Sequence, residues 1–489
     1  MPVTGRGANV AMSRRGFLSA SIGVACATRA AAQPRRSAPA RVPSTAELPW
    51  LSITDAASLL RSRRLSPIEL TQAMLDRIDR IEPRVHAFIT VTRDEALRAA
   101  QTAEREIAAG RYRGPLHGIP FGVKDTHYTK GIRTTANTPV LSDFVPDTDA
   151  TVVARLKQAG GVLIGKLSLP EFSFGGSAVG GGEFPDAVNP WDLSRTPGGS
   201  SSGSGAALAA GLVIAATGGD TSGSVRNPAA LCGVVGMKPT YGRVSRHGII
   251  TISWSLDHVG PMTRTVRDNA LMLNILAGHD PLDDSSSAEP VPDYTRALAR
   301  GVRGMRMGIP KRPLIADYHH DSLRAFDEAL AVLRQLGATI HEVEMPPTMD
   351  AIDDVQTIVR ISEAASYHEP FLATKADRYG ATNVRRDRSR LADHRHSVPA
   401  RPEGAGRLRQ GFQGVVQHIR RLSHTRLSRP GRGARRRPAA LQAGVQRLRV
   451  PGLVPARRLL HLACGPSPRT ADCRAAVCGG VDLRGRGGV

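Results

Sequence analysis

Two clusters of glycine and serine constrain the fold of this chain more than any other feature of its sequence. The first spans 196–205 (TPGGSSSGSG) and the second spans 218–228 (GGDTSGSVRNP), with the small apolar stretch 206–216 between them. Glycine lets the backbone approach a neighbouring segment or a ligand closely, at an entropic cost that most helices and strands avoid. The clusters therefore predict two functional loops joined by a segment that packs in the interior.

Local pattern alone leaves three other interpretations of these clusters. A flexible Gly/Ser linker conflicts with the apolar segments that alternate with both clusters and would pack in a core. A phosphate-binding loop of the form GxxxxGK[ST] needs a lysine after its last glycine, and neither cluster has one. The segment 199–203 (GSSSG) matches the GxSxG nucleophile elbow formally, but the elbow needs a preceding strand and 189–195 is a polar loop. The elbow stays an alternative in which no particular histidine is favoured as the base.

The segments around the clusters alternate between helical and strand patterns. Residues 66–69 (SPIE) form a capping box with proline at the first helical position. Apolar periodicity predicts helices over about 67–81, 94–109, 149–158 and 322–336, and strands over 87–91, 162–165, 305–309 and 339–343. This alternation favours an α/β fold around a largely buried sheet.

Considered together, the two clusters resemble the hallmark of the amidase signature family. The resemblance extends to a block upstream, 118–125 (GIPFGVKD), and to two blocks downstream, 238–245 (KPTYGRVS) and 255–261 (SLDHVGP). It covers about residues 50–380 and implies a single large α/β domain with a mixed central β-sheet flanked by helices. It also implies hydrolysis of a carboxamide through a Ser–cis-Ser–Lys triad, with no metal or organic cofactor.

The resemblance assigns catalytic roles residue by residue. It implies that Ser224 is the nucleophile that forms the acyl-enzyme, that Ser200 is the bridging serine on a cis peptide, and that Lys124 is the base. The separation between positions 200 and 224 matches the family, which favours Ser200 over the two serines that follow it. Ser201 is assigned a supporting role.

The same resemblance implies an oxyanion hole made of backbone N–H groups in the second cluster, at Thr221, Ser222, Gly223 and Ser224. Asp220 and Arg226 flank this loop and are expected to hold its shape. Ser222 departs from the family, in which glycine is commoner at this position. A Cβ there would constrain the hole if the residue needed a positive φ, but serine is small and we expect it to be tolerated.

Elementary chemistry supports these roles independently of the family. A serine hydroxyl is a poor nucleophile until a neighbouring base takes its proton. Lysine can act as that base only if burial and nearby dipoles lower its pKa from about 10.4. Lys124 ends the apolar segment 119–123, which reads as a strand and places the amine in a dry interior. The alternative is a surface lysine paired with Asp125.

The five cysteines imply neither a disulfide framework nor a metal site. Cys232 is the one cysteine in the body of the chain, and its apolar surroundings predict a buried filler rather than a nucleophile. Cys464, Cys473 and Cys478 lack partners at zinc-finger spacing.

The N-terminus resembles an export signal. Residues 13–18 (SRRGFL) precede a modest apolar stretch and an A-x-A cleavage site, which together predict a twin-arginine signal peptide over 1–32 and a periplasmic or secreted protein. Residues 33–48 read as a linker before the amidase domain, 49–380. A disordered basic N-terminus is the alternative. No other apolar run approaches the roughly 20 residues needed to span a bilayer, so no stable membrane span is expected after signal removal.

Composition changes abruptly near residue 381. Residues 381–489 hold 24 Arg, no Lys and five acidic residues, so most of the formal net charge of +23 lies in this tail. The remainder is close to neutral, and we expect no nucleic-acid partner. A GC-rich gene read out of frame gives this composition, which suggests a frameshift near 380–395. A genuine disordered basic tail is the rival interpretation.

The sequence therefore predicts an exported hydrolase that converts a small-molecule carboxamide to a carboxylic acid and an amine or ammonia. Two alternatives remain: an inactive product of a frameshifted gene, and the glutaminase subunit of a tRNA-dependent amidotransferase. Export argues against the second, because charged tRNA is cytoplasmic. The oligomeric state is not predicted.

Overall fold

The described part of the chain contains a six-stranded mixed sheet. Parallel strands at its middle bring Lys124 and the second Gly/Ser cluster to the same edge of the sheet. The computed structural model describes residues 43–174, 182–311, 319–346 and 352–380. Within them the strands of this sheet are β1 (Phe88–Val91), β2 (Pro120–Lys124), β3 (Val162–Leu167), β4 (Ala215–Asp220), β5 (Val235–Gly236) and β6 (His258–Thr263). Their order across the sheet is β1-β3-β2-β4-β6-β5.

Strand direction determines which residues meet at one edge of this sheet. β2 pairs in parallel with both β3 and β4, whereas the β1–β3, β4–β6 and β5–β6 pairs are antiparallel. Val123 of β2 lies opposite Thr217 of β4 in the register. The carboxyl ends of β2 and β4 therefore lie at the same edge, where Lys124 ends one strand and Asp220 ends the other.

Helices cover this sheet. The described α-helices are α1 (Ile53–Arg61), α2 (Pro67–Val85), α3 (Arg93–Ala108), α4 (Thr151–Gln158), α5 (Ser202–Ala209), α6 (Arg226–Cys232), α7 (Val266–Leu276), α8 (His320–Gln335) and α9 (Ile352–Lys375). Short 3-10 helices lie at Leu48–Trp50, Pro139–Leu141, Glu171–Ser173, Leu298–Arg300 and Ala376–Arg378. A separate parallel pair, β7 (Arg306–Pro310) and β8 (Thr339–Val343), packs with α8.

The helices and strands expected from sequence periodicity form, with shifted boundaries. The Ser66 hydroxyl caps α2 by accepting the N–H groups of Ile68 and Glu69 at 3.0 and 3.3 Å. This helix continues past the expected end at residue 81 and stops at His86, which has a left-handed φ of 52°. The fold is therefore the expected α/β domain with a mixed central sheet flanked by helices.

Helix α5, which begins inside the first Gly/Ser cluster, is built of small residues and is almost wholly buried. Its Gly203 N–H donates to the Ser168 carbonyl at 2.9 Å. A Cβ at Gly203 would lie 2.3 Å from the Ala87 carbonyl oxygen, so glycine is required for this close approach. The cluster is thus a packed element, and the flexible-linker interpretation is wrong.

The predicted signal peptide (1–32) and the arginine-rich tail (381–489) lie outside the described residues, as does most of the predicted linker. In the part of the chain that the structure describes, no helix combines the length and the apolar character needed to cross a membrane.

Candidate active site

Lys124 lies in the interior, at the carboxyl end of β2. The residue is 1% exposed, and its Nζ donates a hydrogen bond to Ser200 Oγ at 2.8 Å. Asp125, the alternative partner, instead pairs with Lys166 Nζ at 3.1 Å, and both of those side chains are fully buried. The surface-lysine alternative for Lys124 is therefore wrong.

Burial is the main influence on the Lys124 amine. It lowers the pKa of Lys124 from 10.5 to about 7, although the negative charges of Asp257 and Asp220 oppose the shift. A large fraction of the amine is then neutral near pH 7 and able to accept a proton.

Ser200 and Ser201 of the first Gly/Ser cluster lie beside the second Gly/Ser cluster. The Gly199–Ser200 peptide bond is cis. The Ser201 hydroxyl accepts the Gly219 N–H at 3.1 Å and lies 3.3 Å from the Gly219 carbonyl oxygen, to which it donates. The Ser201 N–H also donates to the Ser224 carbonyl at 3.1 Å. Ser201 therefore links the loop of Ser200 to the loop of Ser224.

Asp220 organises the loop that carries Ser224. Its carboxylate accepts the N–H groups of Gly223 at 2.8 Å and Val225 at 3.2 Å, and both of its oxygens accept from the Arg226 guanidinium at 3.0 Å. Burial alone would raise the pKa of Asp220, but the Arg226 charge and these hydrogen bonds hold it well below its usual range. These are the contacts that a loop-shaping role for Asp220 and Arg226 requires.

The bond from Gly223 to Asp220 changes the expected oxyanion hole. The Gly223 N–H, one of the four donors predicted for the hole, is engaged by the Asp220 carboxylate in this conformation. The N–H groups of Thr221, Ser222 and Ser224 have no acceptor among the described residues. Gly223 has a φ of 126°, whereas exposed Ser222 is not among the described non-glycine residues with positive φ, so serine is tolerated there.

Ser224 is half-buried and lies between β4 and α6. No hydrogen bond joins its hydroxyl to that of Ser200 within the described structure. The structure thus places Lys124 and Ser200 in direct contact and connects Ser224 to them through the backbone of Ser201. Catalytic hydrogen bonds are often long before substrate binds and shorten in the complex.

A cavity of about 310 Å³ opens beside this arrangement. Its lining includes Lys124, Asp220, Thr221, Asp257 and Trp254, and does not include Ser200 or Ser224. Asp257 is a site residue for which the sequence predicted no role, although it lies in one of the family-like blocks. Local sequence could not indicate this role, because the Thr221 hydroxyl that donates to Asp257 at 2.5 Å is 36 positions away in the sequence.

A comparison with family models identifies the chain. The model described as "Amidase" matches residues 69–418. The chain belongs to the amidase signature family. The match extends beyond residue 380, where the family-like sequence was expected to end.

Known amidase-family proteins resemble the chain over about two thirds of its length. A glutamyl-tRNA(Gln) amidotransferase subunit of Geobacter sp. (strain M21) is 49% identical over 316 residues, 65% of this chain and 65% of that protein. The chain thus spans slightly less than two thirds of this relative.

Solved structures are also similar to the chain over about two thirds of its length. The peptide amidase of Stenotrophomonas maltophilia is 39% identical with a TM-score of 0.61, covering 66% of this chain and 68% of that one. A bacterial aryl acylamidase of the amidase signature family is 29% identical with a TM-score of 0.60, covering 67% and 68%.

Two further groups that could carry chemistry in this amidase domain do not line the cavity. Cys232 is buried, as expected of a filler residue, and burial raises the pKa of its thiol to about 12. Among the described residues, one group of side chains is close enough to hold a single metal ion: His319, His320 and Asp321, all exposed. Asp321 is paired with Arg324.

Proposed function

We propose that this chain hydrolyses the C–N bond of a carboxamide, giving a carboxylic acid and an amine or ammonia through an acyl-enzyme on Ser224. The observation that carries the proposal is the 2.8 Å hydrogen bond from the buried Lys124 amine to Ser200, next to the loop of Ser224. Peptide amidase and aryl acylamidase structures of the same family support this reaction class.

In the acylation step, Ser224 Oγ attacks the amide carbon and transfers its proton to the Ser200 hydroxyl. Ser200 passes its own proton to the neutral Lys124 amine. The tetrahedral oxyanion accepts hydrogen bonds from backbone N–H groups of the loop, of which those at Thr221, Ser222 and Ser224 have no acceptor among the described residues. Each such donor stabilises the transition state by about 3–4 kcal/mol.

Collapse of the tetrahedral intermediate breaks the C–N bond. The proton on Lys124 returns through Ser200 to the departing nitrogen, so that the amine leaves as a neutral molecule. Water then attacks the Ser224 ester and gives up a proton along the same path. The acid is released, and the Ser224 hydroxyl and the neutral Lys124 are regenerated.

Hydrolysis of a panel of peptide amides and anilides tests the proposal. Ser224→Ala removes the nucleophile, so we expect the rate to fall by at least about 1,000-fold. Ser58→Ala is the matched control, because the Ser58 side chain on α1 is exposed and does not line the cavity. Its rate is expected to stay within about threefold of the wild type. Equal activity in Ser224→Ala and the wild type would refute the assignment.

A second candidate is the glutaminase component of a tRNA-dependent amidotransferase, favoured by the 49% identity with one component of that enzyme. The twin-arginine motif at 13–18 argues against it, and we propose that the chain is exported. Ammonia release from free glutamine, with other amides left intact, would favour the amidotransferase role. Recovery of a periplasmic chain that begins at Gln33 and acts on amides other than glutamine would favour the exported amidase.

A further inference from the structure

The Asp257 carboxylate, just before β6, accepts four hydrogen bonds. One oxygen, Oδ2, accepts from Thr251 Oγ1 at 2.6 Å and from the N–H groups of Ile252 and Ser253 at 2.9 and 3.1 Å. These three bonds fix the carboxylate to its own segment. The other oxygen, Oδ1, accepts from Thr221 Oγ1 at 2.5 Å. Asp257 thus connects the segment 251–257 to Thr221, the first residue of the loop 221–224 that carries the predicted oxyanion hole (the oxyanion loop).

Helix α9 holds the same segment from the other side. Glu363 Oε2 accepts from Ser253 Oγ at 2.5 Å and from the Ser255 N–H at 3.1 Å, and Oε1 accepts from Ser255 Oγ at 2.6 Å. The segment 251–257 is therefore anchored at two carboxylates. A continuous series of hydrogen bonds runs from α9 to Thr221.

Asp257 also faces the proposed base. Asp257 and Lys124 line the same cavity, and the negative charge of Asp257 opposes the effect of burial on the pKa of Lys124. Asp220, which is paired with Arg226, also acts on this amine, and the pKa of the buried His127 is lowered by burial and by the charges of Lys166 and Lys124. The other charged or titratable side chains that line the cavity are Arg246, His247, His258, Asp283 and Asp284. Asp257 has no ion-pair partner among the described residues.

We propose that Asp257 is a positioning residue of the amide hydrolysis: it holds Thr221, and with it the oxyanion loop, and its negative charge acts on the Lys124 amine across the cavity that both residues line. The catalytic part of this inference rests on the proposed function. The positioning part concerns the loop itself and can be measured without turnover.

Two substitutions separate the hydrogen bond from the charge. Thr221→Val removes the hydroxyl and leaves every charge in place, so we expect kcat to fall about 10- to 100-fold with KM within about threefold, and the acid limb of kcat against pH to stay fixed. Asp257→Asn removes the charge while an amide can still occupy the same space. Without that charge the Lys124 amine loses its proton at lower pH, so the acid limb should move to lower pH. A merely structural role would lower kcat without moving the limb.

Hydrogen exchange of the full-length chain provides the measurement that does not depend on activity. Thr221→Val should increase amide exchange across 221–225 by about tenfold, because a bond to a charged acceptor is lost. Glu363→Gln should increase exchange across 251–257. Exposed Glu369 on the same helix supplies the control variant, Glu369→Gln, which should exchange and turn over like the wild type.

These readings distinguish failure of the inference from failure of the proposed function. Unchanged exchange across 221–225 in Thr221→Val overturns the positioning role, and an unmoved acid limb in Asp257→Asn overturns the electrostatic role. If exchange increases in Thr221→Val but the wild-type chain hydrolyses no amide, the positioning role is supported and the proposed function is refuted.

Discussion

The Lys124 amine supplies the proposed base, and the burial that leaves it neutral near pH 7 also destabilises the folded chain. In water its pKa is 10.5, and in the folded interior it is about 7. The unfolded chain therefore binds the proton more tightly than the folded chain does. Below pH 7 the full free-energy difference opposes folding, and it decreases as pH rises from 7 to 10.5.

The variant Lys124→Met is expected to be inactive and more stable than the wild type. Methionine fills similar space without a charge to desolvate, so the free energy of unfolding should increase by roughly 2–4 kcal/mol at pH 6. The gain should shrink towards zero as pH approaches 10.5. Urea unfolding of both proteins at pH 6 and pH 10 measures it. An equal difference at the two pH values would show that the Lys124 pKa is not shifted.

Sequence alone located the residues of this site better than it located their hydrogen bonds. Lys124 and Ser200 were found because each lies in a distinctive block, and the structure places them in contact. The direction of the Gly223 N–H was not predictable, because it depends on how Asp220 folds back over the loop. The bond between Thr221 and Asp257 escaped for the same reason, since it joins segments whose proximity only the sheet creates.

At the scale of elements, the parallel strands β2 and β3 are joined by a buried ion pair. Lys166 Nζ lies 3.1 Å from Asp125 Oδ1 and donates to the His127 carbonyl at 2.8 Å and to Thr134 Oγ1 at 2.6 Å. The other Asp125 oxygen accepts from the N–H and hydroxyl of Thr135, both at 2.8 Å. This pair keeps Asp125 away from Lys124 and compensates its buried charge.

Breaking this pair on one side should destabilise the sheet strongly. Lys166→Met leaves the Asp125 carboxylate buried without a counter-charge, for an expected loss of about 3–5 kcal/mol in the free energy of unfolding. Lys166→Met combined with Asp125→Asn should recover most of that loss. The partly exposed pair of Lys157 and Asp149 gives the control, because Lys157→Met should cost less than about 1 kcal/mol. A Lys166→Met variant as stable as the control would contradict the role of the pair.

Element prediction succeeded where periodicity was strong and failed in the glycine-rich part of the sheet. The helix expected over 94–109 forms at Arg93–Ala108, and the strand expected over 339–343 forms there. Strand β4 (AATGGD) was not predicted, because alanine and glycine are poor strand formers. Its neighbours on both sides impose its conformation, and this is information that local sequence does not contain.

At the scale of the whole molecule, two observations concern the region beyond residue 380. Composition changes there to 24 Arg and no Lys, and the family match ends at residue 418, inside this region. We propose from the composition that the reading frame changes near 380–395, although the family match to residue 418 counts against so early a change. Sequencing codons 370–400 should then reveal a single-base correction that continues family-like sequence. If sequencing instead confirms the present reading frame, the tail is a genuine basic segment, and the chain is expected to be inactive.

In the proposed reaction, Ser224 becomes acylated after Lys124 takes its proton through Ser200. Reaction of the full chain with a fluorophosphonate, followed by tandem mass spectrometry, tests it most directly because the modified serine is read at residue resolution. We predict one modified residue, Ser224, with labelling that slows below pH 7 and disappears in Ser224→Ala. Modification at Ser200 or Ser201, or undiminished labelling of Ser224→Ala, would contradict the account.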